Sequence, residues 1–284
     1  MKALQSDYRI GDLCKAFGVS RSGYHRWRSA GASARAGEDA LLCEQLRVVH
    51  EQSRGTYGRP RLWAALRSAG RRHSPKRIGR LMRVMGLRGV RRGRFKVQTT
   101  ESNHELKRAP NRLLNAPPPQ RRDQVWVADM TFVHTKEGWL YVAGVLDRHS
   151  RRVLGMAFAV RMDSSLPEMA LRQAIARRGR LPQGGLLHHS DQGLQYASKS
   201  YQNLLAQQAI TPSMSRKANC YDNAHMESFW GTLKAETLAG RSFSTRAQAR
   251  LAIFDYVETF YNRVRLHSAL GFQSPVDFEQ LTNY

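Results

Sequence analysis

The chain has few cysteines and no long apolar run, and each shortage excludes a class of protein. Only 3 of its 284 residues are cysteine, and Cys14, Cys43 and Cys220 lie far apart. An odd number at such spacing fits neither a disulfide framework nor a zinc site. No stretch of apolar residues is long enough to span a membrane, and the first residues lack an apolar signal segment. We therefore expect a protein of a reducing cytoplasm that has no membrane partner.

Acidic residues are scarce, and the shortage lies in one part of the chain. The sequence has 46 Lys and Arg against 22 Asp and Glu, a net charge of +24. Residues 1–122 contain 28 of the basic residues and 8 of the acidic ones, and eleven basic residues without one acid lie between Arg71 and Lys96. Charge of this density repels itself until a polyanion neutralises it. The N-terminal part is therefore predicted to bind DNA, and a merely solvated basic surface is the simpler alternative.

A first helix-turn-helix unit is predicted over residues 1–30. Apolar residues recur at helical spacing from Ile10 to Phe17, and Gly18 ends that pattern. Ser20 can cap a second helix that runs through Tyr24 and Trp27. A plain helical hairpin is the alternative interpretation of so short a pattern.

A second, strongly basic helix-turn-helix unit is predicted over residues 40–97. Pro60 and Pro75 suit the first turns of two helices, and Gly70 and Gly86 suit their ends. The second helix has an apolar face and a basic face, as a helix docked on DNA requires. The candidate DNA contacts in both units and the basic stretch after them are Ser20, Arg21, Tyr24, Arg59, Arg61, Lys76, Arg77, Arg80, Arg83, Arg91, Arg92 and Arg94.

A linker is predicted over residues 98–122, where periodicity is weak and Pro117–Pro119 favours an extended chain. Three strand patterns follow, and turns at 137–138 and 149–150 make them an antiparallel meander. Helix, strand, helix, strand and helix then alternate. This order predicts a mixed α/β domain of the ribonuclease-H-like class, with a mixed five-stranded sheet over residues 123–240 and a helical extension over residues 241–284.

Three acidic residues are the candidate catalytic groups of this domain. Asp129 lies in the first predicted strand, Asp191 just past the fourth, and Glu227 in the first turns of a helix, with 35 residues between the last two. Carboxylates brought together repel one another unless a cation joins them, and Mg²⁺ prefers such oxygen ligands. Two Mg²⁺ ions about 3.5–4 Å apart can activate a hydroxyl and stabilise a leaving oxygen. Mn²⁺ is the expected substitute.

Further polar residues lie beside these acids. Lys234 shares a helix face with Glu227, and we expect it to approach a phosphate. His188 and His189 precede Asp191 and suit either a metal or phosphate contact or plain packing at a strand end. Asp147 ends the second strand and is predicted to have a structural role.

Separate motifs in the right order make the chain resemble the integrase-core transposases of bacterial insertion sequences, specifically the second-reading-frame product of family three. Tyr57–Arg61 resembles the internal helix-turn-helix motif of that family, and Tyr261–Pro275 resembles its C-terminal motif. The other motifs are the settings of Asp129 and Asp191 and the stretch Asn219–Glu227.

The resemblance implies a retroviral-integrase-like core in which Asp129, Asp191 and Glu227 match the catalytic acids and Lys234 the basic residue that follows. It implies Mg²⁺-dependent cleavage of 3′ ends and strand transfer, with terminal repeats and target DNA as partners and a homo-oligomer assembled on DNA. A bacterial, nucleoid-associated location follows. The family also uses a frameshift fusion with an upstream product, and no sustained heptad pattern occurs here.

Two other functions remain open from the sequence. A metal-dependent nuclease of the same fold would share the metal ligands but would not join ends. A DNA-binding regulator without enzymatic activity would use only the basic N-terminal part.

Overall fold

The computed structural model of the protein describes residues 2–30, 33–91, 109–114, 116–182, 185–216 and 223–282. Three predicted features, namely the DNA contacts Arg92 and Arg94, the thiol Cys220 and the stretch Asn219–Asp222, lie outside these residues. Within the described part, no helix is both long and apolar enough to cross a membrane.

Eleven α-helices and five strands are described. The helices are α1 (Ile10–Ala16), α2 (Arg21–Ser29), α3 (Ala34–Gln52), α4 (Arg59–Ser68), α5 (Pro75–Val84), α6 (Ser165–Arg178), α7 (Leu194–Ala197), α8 (Lys199–Gln207), α9 (Ala224–Leu233), α10 (Arg246–Asp255) and α11 (Pro275–Leu281). The strands are β1 (Val125–Thr135), β2 (Gly138–Asp147), β3 (Val153–Ala159), β4 (Leu187–Ser190) and β5 (Thr211–Met214). Wider π-helical turns extend α9 over Lys234–Leu238 and α10 over Tyr256–Tyr261.

The strands form one mixed sheet in the order β3-β2-β1-β4-β5. β1, β2 and β3 are antiparallel neighbours, whereas β1–β4 and β4–β5 are parallel. The predicted meander and the predicted ribonuclease-H-like α/β class with a five-stranded mixed sheet are therefore confirmed. The two short parallel strands follow crossover helices, as parallel pairing requires.

The sheet has a core on each face because side chains alternate along every strand. On one face, Trp126 and Ala128 pack with α6 and α8. On the other, Val125 and Val127 share a cluster with α9, α10 and the helical unit α3–α5. The basic helical unit is thus packed against the same face as α9.

The helix-turn-helix predictions agree with the described helices. Ser20 caps α2 by accepting a hydrogen bond from Gly23 N, and Ser74 caps α5 by accepting one from Arg77 N. The long helix α3 was not predicted. It is capped by Ser33 and buries only Leu42 and Leu46, so its apolar pattern is weak in the sequence.

The described part of the predicted linker packs against the core. Its described C-terminal part lies against the core, where Ala109 is half-buried and the Arg112 backbone N–H donates to Ser213 Oγ of β5 over 2.9 Å. The proline segment also contacts the sheet domain, because His149 Nδ1 lies 2.9 Å from Pro119 O.

Candidate active site

Asp129 lies on β1, and Asp191 lies just past the end of the neighbouring parallel strand β4, at the same level of the sheet. Val127 of β1 is in register with His189 of β4, so Asp129 and Asp191 each follow two residues later. Side chains two residues apart share a face, so both carboxylates project on the face covered by α9. Asp191 lies just past the end of β4, and its Oδ1 accepts a hydrogen bond from Gly193 N over 3.0 Å.

Helix α9 is fixed to the same strand. Asn223 is buried at its N-terminus, and instead of capping the helix its Nδ2 donates to Ala128 O of β1 over 2.9 Å. Glu227 follows one turn later and is half-buried. Asparagine is a good N-cap residue, but here its side chain instead ties the helix to the residue before Asp129.

The charges of Asp191 and Glu227 both act on Asp129. Burial and the charge of Asp191, with a smaller contribution from Glu227, raise the pKa of Asp129 to about 8, whereas the Met130 N–H and the Trp230 indole act in the opposite direction. Burial also raises the pKa of Glu227. Ionising all three neighbouring carboxyl groups costs free energy unless a cation neutralises part of their charge.

Lys234 lies at the edge of this cluster, as the sequence predicts. Burial lowers the pKa of Lys234, and the charge of Asp129 opposes that shift, so the ammonium is within electrostatic reach of the carboxylate. Its Nζ also lies 5.5 Å from the centre of the Phe132 ring.

The chemistry of these residues suits divalent cations, although the three carboxylates do not lie close enough together to form a complete metal site. Among the described residues, no group of three His, Cys, Asp or Glu is close enough to hold a metal ion. The oxygens are nevertheless hard ligands of the kind Mg²⁺ prefers. Tyr196 Oη and Asn223 Oδ1 are buried without a hydrogen-bond partner among the described residues. Such orphaned groups beside carboxylates are suited to bound water and ions.

His188 and His189 have structural roles. His188 Nε2 is hydrogen-bonded to Tyr201 Oη over 3.0 Å, and burial with neighbouring His189 lowers its pKa to about 3. His189 contacts Ser213 Oγ and Ser215 Oγ on and after β5. Asp147 is structural as well, being fully buried and accepting backbone N–H groups of its own turn.

Sequence reasoning missed Trp230 and Tyr196. Trp230 is 5% exposed, and its ring packs against Gly144, the β2 residue directly opposite Asp129. The charges of Asp129 and Asp191 contribute to the raised pKa of Tyr196, after burial and Tyr201. In the sequence both resemble ordinary core aromatics, and no pattern distinguishes them.

Three of the predicted DNA contacts are engaged inside the protein. Tyr24 is buried, so its side chain does not reach the surface. Arg77 and Arg80 on α5 form ion pairs with Asp39 of α3. The sequence pattern could not show these ion pairs, because the acids belong to a helix that it did not predict.

Other predicted contacts remain available on the surface. Arg61 is half-buried and donates from Nε to Leu266 O over 2.8 Å, which leaves the rest of its guanidinium for other partners. Within the described residues, the other exposed members of the predicted set are Ser20, Arg21, Arg59, Lys76, Arg83 and Arg91, and Arg80 is exposed as well despite its ion pair.

The family models that match the chain agree with this architecture. An HTH-like domain model matches residues 37–95, and two models described as an integrase core domain match residues 119–220 and 208–275. Matches over most of the chain identify relatives with known names. The IS600 uncharacterized 31 kDa protein of Shigella sonnei is 44% identical over 268 residues, which is 94% of this chain and 97% of the relative.

The InsF transposase for insertion sequence IS3A of Escherichia coli is 36% identical over 277 residues, 97% of this chain and 95% of the relative. The chain belongs to the integrase-core transposases of bacterial insertion sequences. As a member of this family it is a DDE polynucleotidyl transferase, which excludes the regulator without enzymatic activity. The transposase for IS904 of Lactococcus lactis is 40% identical over 243 residues, 86% of this chain and 95% of the relative.

Solved structures resemble this transposase more distantly. A chain of a simian T-cell lymphotropic virus intasome, in complex with a PP2A regulatory subunit, covers 83% of it at 17% identity with a TM-score of 0.48, and the match spans 74% of that chain. The HTLV-2 integrase catalytic core in complex with magnesium covers 56% at 16% identity with a TM-score of 0.43, and the match spans 98% of that chain.

Proposed function

We propose that the transposase cleaves 3′ ends of an insertion sequence and joins them to target DNA, with Asp129, Asp191 and Glu227 as the ligands of two Mg²⁺ ions. The observation that supports this most directly is the register of β1 and β4, which brings Asp129 and Asp191 to the same level of the sheet. The raised pKa of Asp129, caused by burial and then by Asp191 and Glu227, agrees with it. A carboxyl that resists ionisation in isolation becomes a strong ligand once a cation replaces its proton.

The bound ions would supply Lewis-acid stabilisation of the attacking and leaving oxygens. The residues of the chain have separate tasks. Asp129 and Asp191 are fixed by adjacent strands, and Asn223 orients the helix that bears Glu227. Lys234 contributes positive charge for a scissile phosphate at the edge of the cluster. Rigid elements suit such a site because small displacements are costly in catalysis.

The basic helical unit would grip the double-stranded DNA of the element ends. Within the second helix-turn-helix, we assign phosphate contacts to Arg59, Lys76 and Arg83, which are exposed, with Arg21 of α2 and Arg91 as further candidates. Phosphate contacts of this kind set register and salt dependence, whereas base contacts set sequence preference. The same proposal includes a homo-oligomer on DNA and a fusion with an upstream product. It also includes domain limits at 1–30, 40–97, 98–122, 123–240 and 241–284.

The test is end cleavage and joining by the purified full chain on oligonucleotide duplexes of the element ends. Covalent joining of a 3′ end to a second duplex is expected in Mg²⁺ or Mn²⁺ and is lost in chelator. Asp129→Asn, Asp191→Asn and Glu227→Gln should each abolish it, with unfolding curves that show an intact fold. Cleavage without joining would favour the nuclease, and activity in any of the three variants would refute the ligand assignment.

A further inference from the structure

A cavity of about 200 Å³ lies where the two motifs flanking the catalytic core meet. Its walls include Arg61 of α4, Arg151 of the β2–β3 turn, and Arg265 and His267 of the C-terminal motif. None of its described lining residues is acidic. At about 30 Å³ per water, the space equals roughly six waters, enough for a phosphate group and part of its hydration.

The cavity is a built feature, because hydrogen bonds fix the two motifs to each other. Tyr57 Oη accepts from Leu266 N over 2.8 Å and donates to Val264 O over 2.9 Å. Arg61 Nε donates to Leu266 O over 2.8 Å. The helical unit and the C-terminal segment therefore form one wall.

Arg151 forms another part of the wall in a strained backbone conformation. Its φ of 62° lies in the left-handed region, which is unfavourable for a residue other than glycine. Buried Asp147 holds the turn by accepting the N–H of Ser150, whose Oγ donates to Glu279. Strain of this kind is often placed at functional positions.

The positive charge of the cavity is only partly neutralised. Arg265 is paired with Glu236 over 2.6 Å. No carboxylate of the described residues forms an ion pair with Arg61 or Arg151, and burial lowers the pKa of both, with Arg265 adding to the effect on Arg61. His267 Nε2 is buried without a hydrogen-bond partner among those residues. Like charges collected in a half-enclosed space are costly until an anion enters.

We infer that this cavity binds one backbone phosphate of duplex DNA and so couples the helix-turn-helix unit to the catalytic core. The inference rests on the proposed function. Ser228 and His225 of α9 also line the cavity and flank Glu227 in sequence, so a phosphate held here touches the helix that presents the third acid. Arginine forks match the oxygens of a phosphodiester.

The test measures how duplex binding by the full chain depends on salt. Arg151→Asn removes the charge while keeping a residue that tolerates left-handed φ. We expect weaker binding to any duplex and a salt slope reduced by about one, as for one lost phosphate contact. Arg151→Lys should keep the slope. The exposed Arg172 lies on α6 across the sheet, and Arg172→Gln is the control that should leave it unchanged.

If Arg151→Asn does not fold, a second variant tests the inference. Ser268 is exposed at the rim, so Ser268→Glu should repel the phosphate and weaken binding, whereas Ser200→Glu on α8 should not. Two results would overturn the inference but leave the proposed function standing. One is an unchanged salt slope in Arg151→Asn. The other is that inorganic phosphate stabilises the protein in a way that depends on Arg151, while Arg151→Asn has no effect on DNA binding. If the wild type binds no duplex, both fail.

Discussion

Gly144 lies directly opposite Asp129 in the antiparallel pairing of β1 and β2. A Cβ at Gly144 would lie 3.1 Å from ring carbons of Trp230 and 3.2 Å from Met226 Cε. The absence of a side chain therefore lets the indole lie across the sheet beside the carboxylate. A glycine in a strand commonly marks such a close approach.

Gly144→Ala is expected to displace Trp230 and to lower the free energy of unfolding by about 1–3 kcal/mol, the usual effect of overpacking. Joining activity should fall even at temperatures where the variant is fully folded. Gly37 offers a control, because it is exposed on α3 with no atom within 4 Å of an added Cβ. Gly37→Ala should instead stabilise by roughly 0.5–1 kcal/mol. Wild-type activity in Gly144→Ala would show that the position of Trp230 is unimportant.

The raised pKa of Asp129 makes the metal-free protein less stable as pH rises. Between its ordinary pKa of 3.8 and about 8, the folded state keeps a proton that the unfolded state has lost, so stability declines with pH through that range. Asp129→Asn removes the effect. Urea unfolding in chelator should show the variant equal to wild type near pH 4 and more stable at pH 8, by on the order of 1 kcal/mol or more.

Asp163→Asn provides a comparison of opposite sign, because a hydrogen bond from Ser165 lowers the pKa of the exposed Asp163. Asp163→Asn should therefore be no more stable than wild type at pH 8. If Asp129→Asn were no more stable than wild type at pH 8, the ionised carboxylate of Asp129 would be stabilised in the folded protein without a metal, and the expected rise of its pKa would be wrong.

Glu279 should make the fold sensitive to acid. Burial disfavours its charge, but hydrogen bonds and the charge of Arg178, with Arg152 and Ser150, outweigh burial and lower the pKa to about 2. The stability it contributes is present above its ordinary pKa of 4.5 and is lost as pH falls through about 2. Glu279→Gln should therefore lower stability at pH 7 and flatten the loss between pH 5 and 2. Acid unfolding followed by circular dichroism measures both effects. If the stability of the variant and that of the wild type changed with pH in the same way, the role assigned to Glu279 would be wrong.

Tyr57→Phe should weaken the attachment of the helical unit to the C-terminal segment. The change leaves Leu266 N–H and Val264 C=O without their partner, which costs about 1–3 kcal/mol. Tyr24 is the matched control, because its hydroxyl is buried without a partner. Tyr24→Phe should be neutral or slightly stabilising in urea unfolding. Equal effects of the two changes would mean that the Tyr57 hydroxyl does not secure the interface.

The sequence by itself determined the local elements and the chemistry that they offer. Caps such as Ser20 and Ser74 act within one turn, and strand alternation needs only neighbouring residues, so both could be read without coordinates. The sequence singled out Asp129, Asp191 and Glu227 as candidate catalytic acids because each lies in its own motif, and their role stays a prediction. The family is confirmed by relatives over nearly the whole chain.

Only the tertiary structure decided which groups meet. The ion pairs of Arg77 and Arg80 with Asp39, the burial of Tyr24 and the position of Trp230 over Gly144 depend on contacts between residues far apart in the chain. The same holds for the joint wall made by Tyr57 and the C-terminal motif. Electrostatic shifts follow distance and burial, and a linear pattern specifies neither.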